Sequence, residues 1–194
     1  MLEAAGFQLD NSVPMCDMKT ESFQWVKHRW MSTAGCFWPS MQAAVESRAC
    51  FFHRHKAGGC SLPQPGKTDI AVAMGPCQAF TLQSRSSLAP EDHKSHGVVM
   101  DRNSNSLLGW VARVLPLYYI TEQVEGFGKT RAQGRYSNTS PLIEFVRSMF
   151  LIKGPDGKSW FGDVAILKTC CSVWIEARRP RPPRTHSRNT IPTT

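Results

Sequence analysis

The chain has 194 residues, enough for one ordinary domain, and Leu, Ile, Val and Phe account for only 41 of them. Its net charge of +8 is too small for this length to keep the chain open by self-repulsion. The longest apolar run covers 107–120 and is interrupted by Arg113 and Pro116, whereas a membrane-spanning helix needs about 20 apolar residues. These values exclude a highly charged disordered polymer and predict no membrane span.

Residues 1–57 are predicted to form a loosely helical N-terminal segment. Apolar residues recur at helical spacing over 20–31 and again over 41–56, and Gly58-Gly59 supplies a stop for the second run. The spacing therefore predicts two helices in this segment.

Residues 58–106 change character and are rich in Gly, Pro, Ser and Gln. Such a stretch has too little apolar surface to offset the entropy lost on ordering. We predict a largely disordered linker with a short ordered piece at 70–74. His93 and His96, which stand beside two acidic residues, are interpreted as part of a solvated polar run.

Residues 107–176 are predicted to be the folded unit. Apolar residues over 107–115 indicate a helix that ends near Pro116, and 117–121 has the composition of a strand. Ser140 suits the cap of a second helix, Pro141 suits its first position, and the apolar face that follows ends at Gly154-Pro155.

Two interpretations remain open at the end of that helix. The turn at 154–157 could also join two arms of a hairpin, 149–153 and 160–164, because periodicity over five residues does not separate helix from strand. Residues 164–175 are then interpreted as one strand. The predicted fold is α+β, small and marginal, with substantial disorder; the alternative is a chain with no stable autonomous fold, since local signals agree in only two short stretches.

One group of residues has the chemistry of a metal site. Cys50, His53, His55 and Cys60 follow the spacing C-x2-H-x-H-x4-C, and zinc prefers sulfur and nitrogen ligands of this kind. On a helix Cys50 and His53 share a face, but His55 lies about 200° around from His53, so the helix would have to end near His53. The alternative is two surface histidines and two unrelated thiols. Zinc is the only cofactor that the sequence indicates.

The strongest charge feature is the C-terminal tail, 177–194, which is predicted to be disordered. It has five arginines and no acid, and it thus carries five of the eight net positive charges: Arg178, Arg179, Arg181, Arg184 and Arg188. If all five met phosphates, the affinity for nucleic acid would follow salt with a slope of about −4.5. The alternatives are a nuclear-import patch and a solubilising terminus with no dedicated partner.

These observations lead to a functional hypothesis without an enzymatic activity. No hydrolase or nucleotide-binding motif, and no evident small-molecule site, is present, and the N-terminus resembles neither a signal peptide nor a transit peptide. We predict an intracellular interaction protein, nuclear or cytoplasmic, whose tail contacts nucleic acid or an acidic protein. The alternatives are the product of an orphan reading frame with no defined biochemical activity and a small zinc-stabilised structural module.

Overall fold

A four-stranded mixed sheet with helices packed on it carries the fold in a computed structural model of the chain, which confirms the α+β prediction. The structure describes residues 24, 28, 36–38, 41–46, 48, 50–53, 60, 62–81, 90–92, 94–101, 106–131, 133–169 and 172–180. The predicted helix over 20–31 falls largely outside these residues.

The strands are β1 (Ile70–Met74), β2 (Tyr118–Val124), β3 (Asp163–Lys168) and β4 (Ser172–Arg178), in the spatial order β1-β2-β4-β3. β1 runs parallel to β2, whereas β4 is antiparallel to both β2 and β3. The parallel pair needs a crossover connection, and the helices between β1 and β2 supply it.

The helices are α1 (Met41–Val45), α2 (Lys94–Met100), α3 (Leu107–Val114) and α4 (Pro141–Phe150). α3 begins where the Ser106 hydroxyl accepts the backbone N–H of Gly109 at 3.0 Å, and it ends before Pro116, as predicted. α4 begins at the predicted cap, where the Ser140 hydroxyl accepts the N–H of Ile143 at 3.3 Å. None of the helices in the described parts of the chain has the length and apolar character needed to cross a membrane.

The main core lies between the helices and one face of the sheet. Alternate residues of β2 and β4, such as Tyr119 and Ile175, are fully buried on this face. They face the apolar sides of α3 and α4, where Val111 and Phe145 are also buried. Successive strand residues point to opposite faces, so this alternation leaves the other face of the sheet half-exposed.

The described part of 58–106, which we predicted to be a largely disordered linker, contains β1 and α2. Ala71 of β1 and Val99 of α2 are buried in the main core. These few apolar residues become ordered because residues far along the chain provide the surface that covers them. The short ordered piece expected at 70–74 is strand β1.

Two predicted elements have different bounds in the structure, and for a third the structure decides between two interpretations. The helix over 41–56 ends at Val45, because the chain then turns and brings residues 50–53 against residue 37. The single strand over 164–175 is a hairpin, in which β3 and β4 are joined by a turn closed by Thr169 and Ser172. The helix interpretation holds for 141–150, and of the alternative hairpin only one bridge, between Lys153 and Ser159, is present among the described residues.

Candidate metal centre

Three cysteines and one histidine point at one another at the N-terminal end of the described structure. The Nδ1 atom of His53 lies 3.2 Å from the Cys50 sulfur and 3.6 Å from the sulfurs of both Cys36 and Cys60. All four ligand atoms lie within 4.8 Å of one another, and the three cysteines are free rather than joined in a disulfide. The cluster therefore has the residue types and the proximity to hold one metal ion.

Backbone pairing between two short segments creates this convergence. The N–H of Phe51 donates to the carbonyl of Phe37 at 2.8 Å, which brings the residue after Cys36 beside the residue after Cys50. The turn between Cys50 and His53 is closed by a backbone hydrogen bond of 3.3 Å, so both side chains face the same point. Cys60 reaches that point from the next segment.

A small second hydrophobic core packs beside the four candidate ligands. Trp38 is fully buried, and its indole N–H donates to the carbonyl of Arg48 at 2.8 Å. Ala43 and Ala44 of α1 pack beside it, and two of the candidate ligands, Cys50 and Cys60, are themselves part of this buried group. The cysteine ligands are thus held by buried packing, while His53 closes the cluster from the solvent side.

The ionisation of the thiols reflects their crowding. Burial raises the pKa of the Cys36 thiol to about 12, helped by the neighbouring Cys50 and Cys60. Burial also acts to raise the pKa of Cys50, but backbone N–H groups, first that of Phe37, donate to its sulfur and lower its pKa to about 7. Three sulfurs this close do not all ionise without a cation between them, because each negative charge opposes the next.

The structure brings together three of the four predicted ligands and adds one that the sequence interpretation missed. Cys50, His53 and Cys60 converge, Cys36 takes the fourth place, and His55 lies outside the described residues. A signal for Cys36 was present: each of Cys36 and Cys50 precedes two aromatic residues. The rings of Phe37 and Phe51 lie 5.7 Å apart, which is how the two similar segments meet.

Two of the five tail arginines are already engaged by the fold. Arg178 belongs to β4, and its Nε lies 3.2 Å from a carboxylate oxygen of Asp163 and 3.8 Å from one of Glu176. The guanidinium of Arg179 lies 4.2 Å from the centroid of a ring of Trp160. Arg181, Arg184 and Arg188 lie outside the described residues.

His96, which was interpreted as part of a solvated run, is buried instead. Its Nε2 lies 2.5 Å from the hydroxyl oxygen of Tyr136, and its ring packs 6.0 Å from that of Phe80. Burial lowers the pKa of His96, so the neutral ring is favoured. The residue has the surroundings of a core histidine.

A scan against models of protein families finds no match to this chain, and a search of curated proteins finds no similar sequence. The functional assignment therefore rests on the geometry of the chain itself.

Proposed function

We propose that the chain is a structural zinc module, in which Cys36, Cys50, His53 and Cys60 bind one Zn²⁺ and fix residues 36–62 onto the sheet. The observation that carries this proposal is the distance set around His53. In a tetrahedral site, bonds of about 2.3 Å to sulfur and about 2.05 Å to nitrogen place each sulfur about 3.6 Å from the nitrogen. The observed distances from His53 Nδ1 to the sulfurs of Cys36, Cys50 and Cys60 are 3.6, 3.2 and 3.6 Å, respectively.

The donor set favours a structural role over a catalytic one. A Cys3His set fills all four positions of a tetrahedral zinc ion, whereas catalytic zinc keeps one position open for water or substrate. The N–H groups directed at the Cys50 sulfur are typical outer partners of a thiolate ligand, because they stabilise its charge without competing for the metal. The module is accordingly proposed to be non-enzymatic.

The small size of the second core explains why a metal is useful here. Its buried residues are Trp38, Ala43, Ala44, Cys50 and Cys60, so little apolar area is available to order this segment. Zinc binding at pH 7 contributes about 10–16 kcal/mol in small structural sites, and this free energy is available for folding.

Zinc content after purification under reducing conditions tests the proposal. We expect one zinc ion per chain, lost in Cys36→Ser and in His53→Asn. Two matched controls are available in the described part of the chain, namely Cys77→Ser, at a free cysteine outside the cluster, and His28→Asn, at an exposed histidine. Wild-type protein without zinc, or variants that keep it, would contradict the assignment.

The tail supplies a second proposed function, binding of a polyanion such as nucleic acid. The observation that favours it is the charge of the tail: 181–194 has three arginines and no acid, whereas Arg178 and Arg179 are engaged by the fold. Three contacts give a salt slope of about −2.7 instead of about −4.5. Replacement of Arg181, Arg184 and Arg188 by alanine should abolish salt-dependent DNA binding, while Arg178→Ala should leave the slope unchanged; the reverse pattern would refute this assignment.

A further inference from the structure

The sheet has a second apolar face, opposite the main core. Strand register places directly paired residues on the same face, in rows that cross the sheet. Two neighbouring rows form a surface that we call the open face. One row contains Val72, Ile120 and Glu176, and the next contains Met74, Glu122, Trp174 and Leu167.

This face is exposed in a way that an ordinary solvated sheet face is not. Met74 is 68% exposed, Leu167 is 64% exposed and Val72 is 51% exposed, whereas the residues of the central strands β2 and β4 that point to the core are buried. A sheet covered on one side only usually carries polar residues on its free side. Apolar residues grouped at this position indicate a surface that is covered in use.

The dimensions of the open face fit one helix. Four strands at about 4.8 Å spacing place the outer strands about 14 Å apart, and a helix with its side chains is about 10–12 Å wide. An apolar sheet face is ordinarily covered by helices or by another sheet. A helix of about three turns that lies across the strands is long enough to reach from one outer strand to the other.

The charges of the open face select the kind of helix. Glu122 and Glu176 lie on the two central strands, as diagonal neighbours across β2 and β4. Among the described residues, Glu122 forms no ion pair and Glu176 pairs with Arg178 alone, at 3.8 Å. A partner that buried these carboxylates without supplying cations would leave charges desolvated at high cost, so it would bind poorly.

We propose that the open face is a docking surface for an amphipathic helix of a partner protein, whose apolar stripe is flanked by lysine or arginine. The apolar residues provide the binding area, and the two glutamates reject acidic or neutral helices. This assignment does not depend on zinc binding, because β1 to β4 lie outside the metal cluster.

The test uses two synthetic helical peptides of about 14 residues, one with a leucine stripe flanked by lysines and one with glutamates in place of the lysines. Nuclear magnetic resonance of the full chain, recorded with and without added zinc, reports both the affinity and the location of peptide binding. We expect the lysine peptide to bind at least about tenfold more tightly and to shift the resonances of Trp174 and Leu167. Equal binding of the two peptides, no binding, or shifts confined to other surfaces would overturn the proposal.

Substitutions on the open face separate docking from a fold defect. Met74→Arg and Leu167→Arg change exposed side chains, so the sheet should remain intact while lysine-peptide affinity falls about tenfold or more. Ile143→Arg, at a 46% exposed position of α4, is the matched control and should bind normally. Replacing both Glu122 and Glu176 with Gln should remove the preference for the lysine peptide, and retention of that preference would contradict the charge argument.

Sedimentation of the chain alone tests whether a second copy of the chain, rather than a partner helix, covers the open face. We expect sedimentation that is independent of protein concentration. A dimer that forms with increasing concentration and is abolished by Met74→Arg would mean that the chain covers this face itself, which would overturn the proposal of a partner helix.

Discussion

The segment around the candidate metal centre buries far fewer residues than the sheet unit of the same chain. The main core gathers buried residues from β1, β2 and β4 and from α2 to α4, including aromatic rings in direct contact such as Phe80 and Phe127, 4.8 Å apart. The second core has five buried residues, and two of them are candidate metal ligands. We therefore expect apolar burial to be sufficient for the sheet, and residues 36–62 to depend on metal coordination as well.

The largest expected effect comes from removing one ligand. Cys50→Ser should lower zinc affinity by more than about 100-fold, the upper end of the loss caused by changing an outer partner. Because no buried residue of the main core comes from 36–53, hydrogen exchange should accelerate over 36–53 while β2 and β4 stay protected. Isothermal titration and exchange mass spectrometry measure the two quantities.

The ligand set itself is tested by a pair of variants. Cys36→Ser should behave like Cys50→Ser, and His55→Asn should retain one zinc ion per chain. The opposite outcome would restore the ligand set that the sequence spacing alone indicates.

Truncation of a side chain in the main core should lower the stability of the sheet and leave zinc binding intact. Phe145 is buried among core rings, with its ring 5.8 Å from that of Phe127. Phe145→Ala should lower the free energy of unfolding by about 3–5 kcal/mol through lost burial and the cavity left behind. Denaturant unfolding followed with zinc content should show reduced stability and full zinc occupancy; loss of zinc in the folded variant would show that the two regions are not separate.

The buried His96–Tyr136 pair should make an intermediate contribution that depends on pH. His96→Phe leaves the Tyr136 hydroxyl without its partner and should cost about 1–3 kcal/mol. Because burial lowers the pKa of His96 below its ordinary value of 6.5, the unfolded chain binds the proton first as the solution is acidified. Stability should thus fall as pH decreases below 6.5 in the wild type and fall less in the variant; parallel profiles would contradict the burial of a neutral ring.

The smallest expected effect is that of a helix cap. Ser140→Ala removes the oxygen that accepts the N–H of Ile143, so it should cost about 1 kcal/mol. Ser140→Asp, which keeps an acceptor there, is the matched control. Thermal unfolding should give a lower Tm for the alanine variant alone, and equal values for the two variants would show that the cap contributes nothing.

Elements with local causes could be predicted from the sequence. Helix α4 carries its own cap, its own proline at the first position and an apolar face at helical spacing, so no distant residue is needed to define it. The β3–β4 turn gave no such signal, because residues 169–172 include neither glycine, proline nor asparagine. Its hydrogen bonds come from Thr169 and Ser172, which also suit a strand.

Features that depend on distant contacts could not be predicted. Strand β1 is short and half-exposed, and it is ordered through parallel pairing with β2, which follows it by more than forty residues. Cys36 joins the metal cluster from outside the local spacing that identified Cys50, His53 and Cys60. His96 is buried by Tyr136, forty residues away. In each case the residue type is uninformative until the partner is brought near.

The most direct test of the difference between the two regions is a ¹H–¹⁵N correlation spectrum of the reduced full chain, recorded with zinc and again with a chelator. We predict that the chelator removes the dispersed resonances of residues 36–60 and leaves those of β2 and β4 in place. A spectrum unchanged by the chelator would contradict a metal at Cys36, Cys50, His53 and Cys60. Loss of chemical-shift dispersion for every resonance in the chelator would contradict a sheet that is stable without zinc.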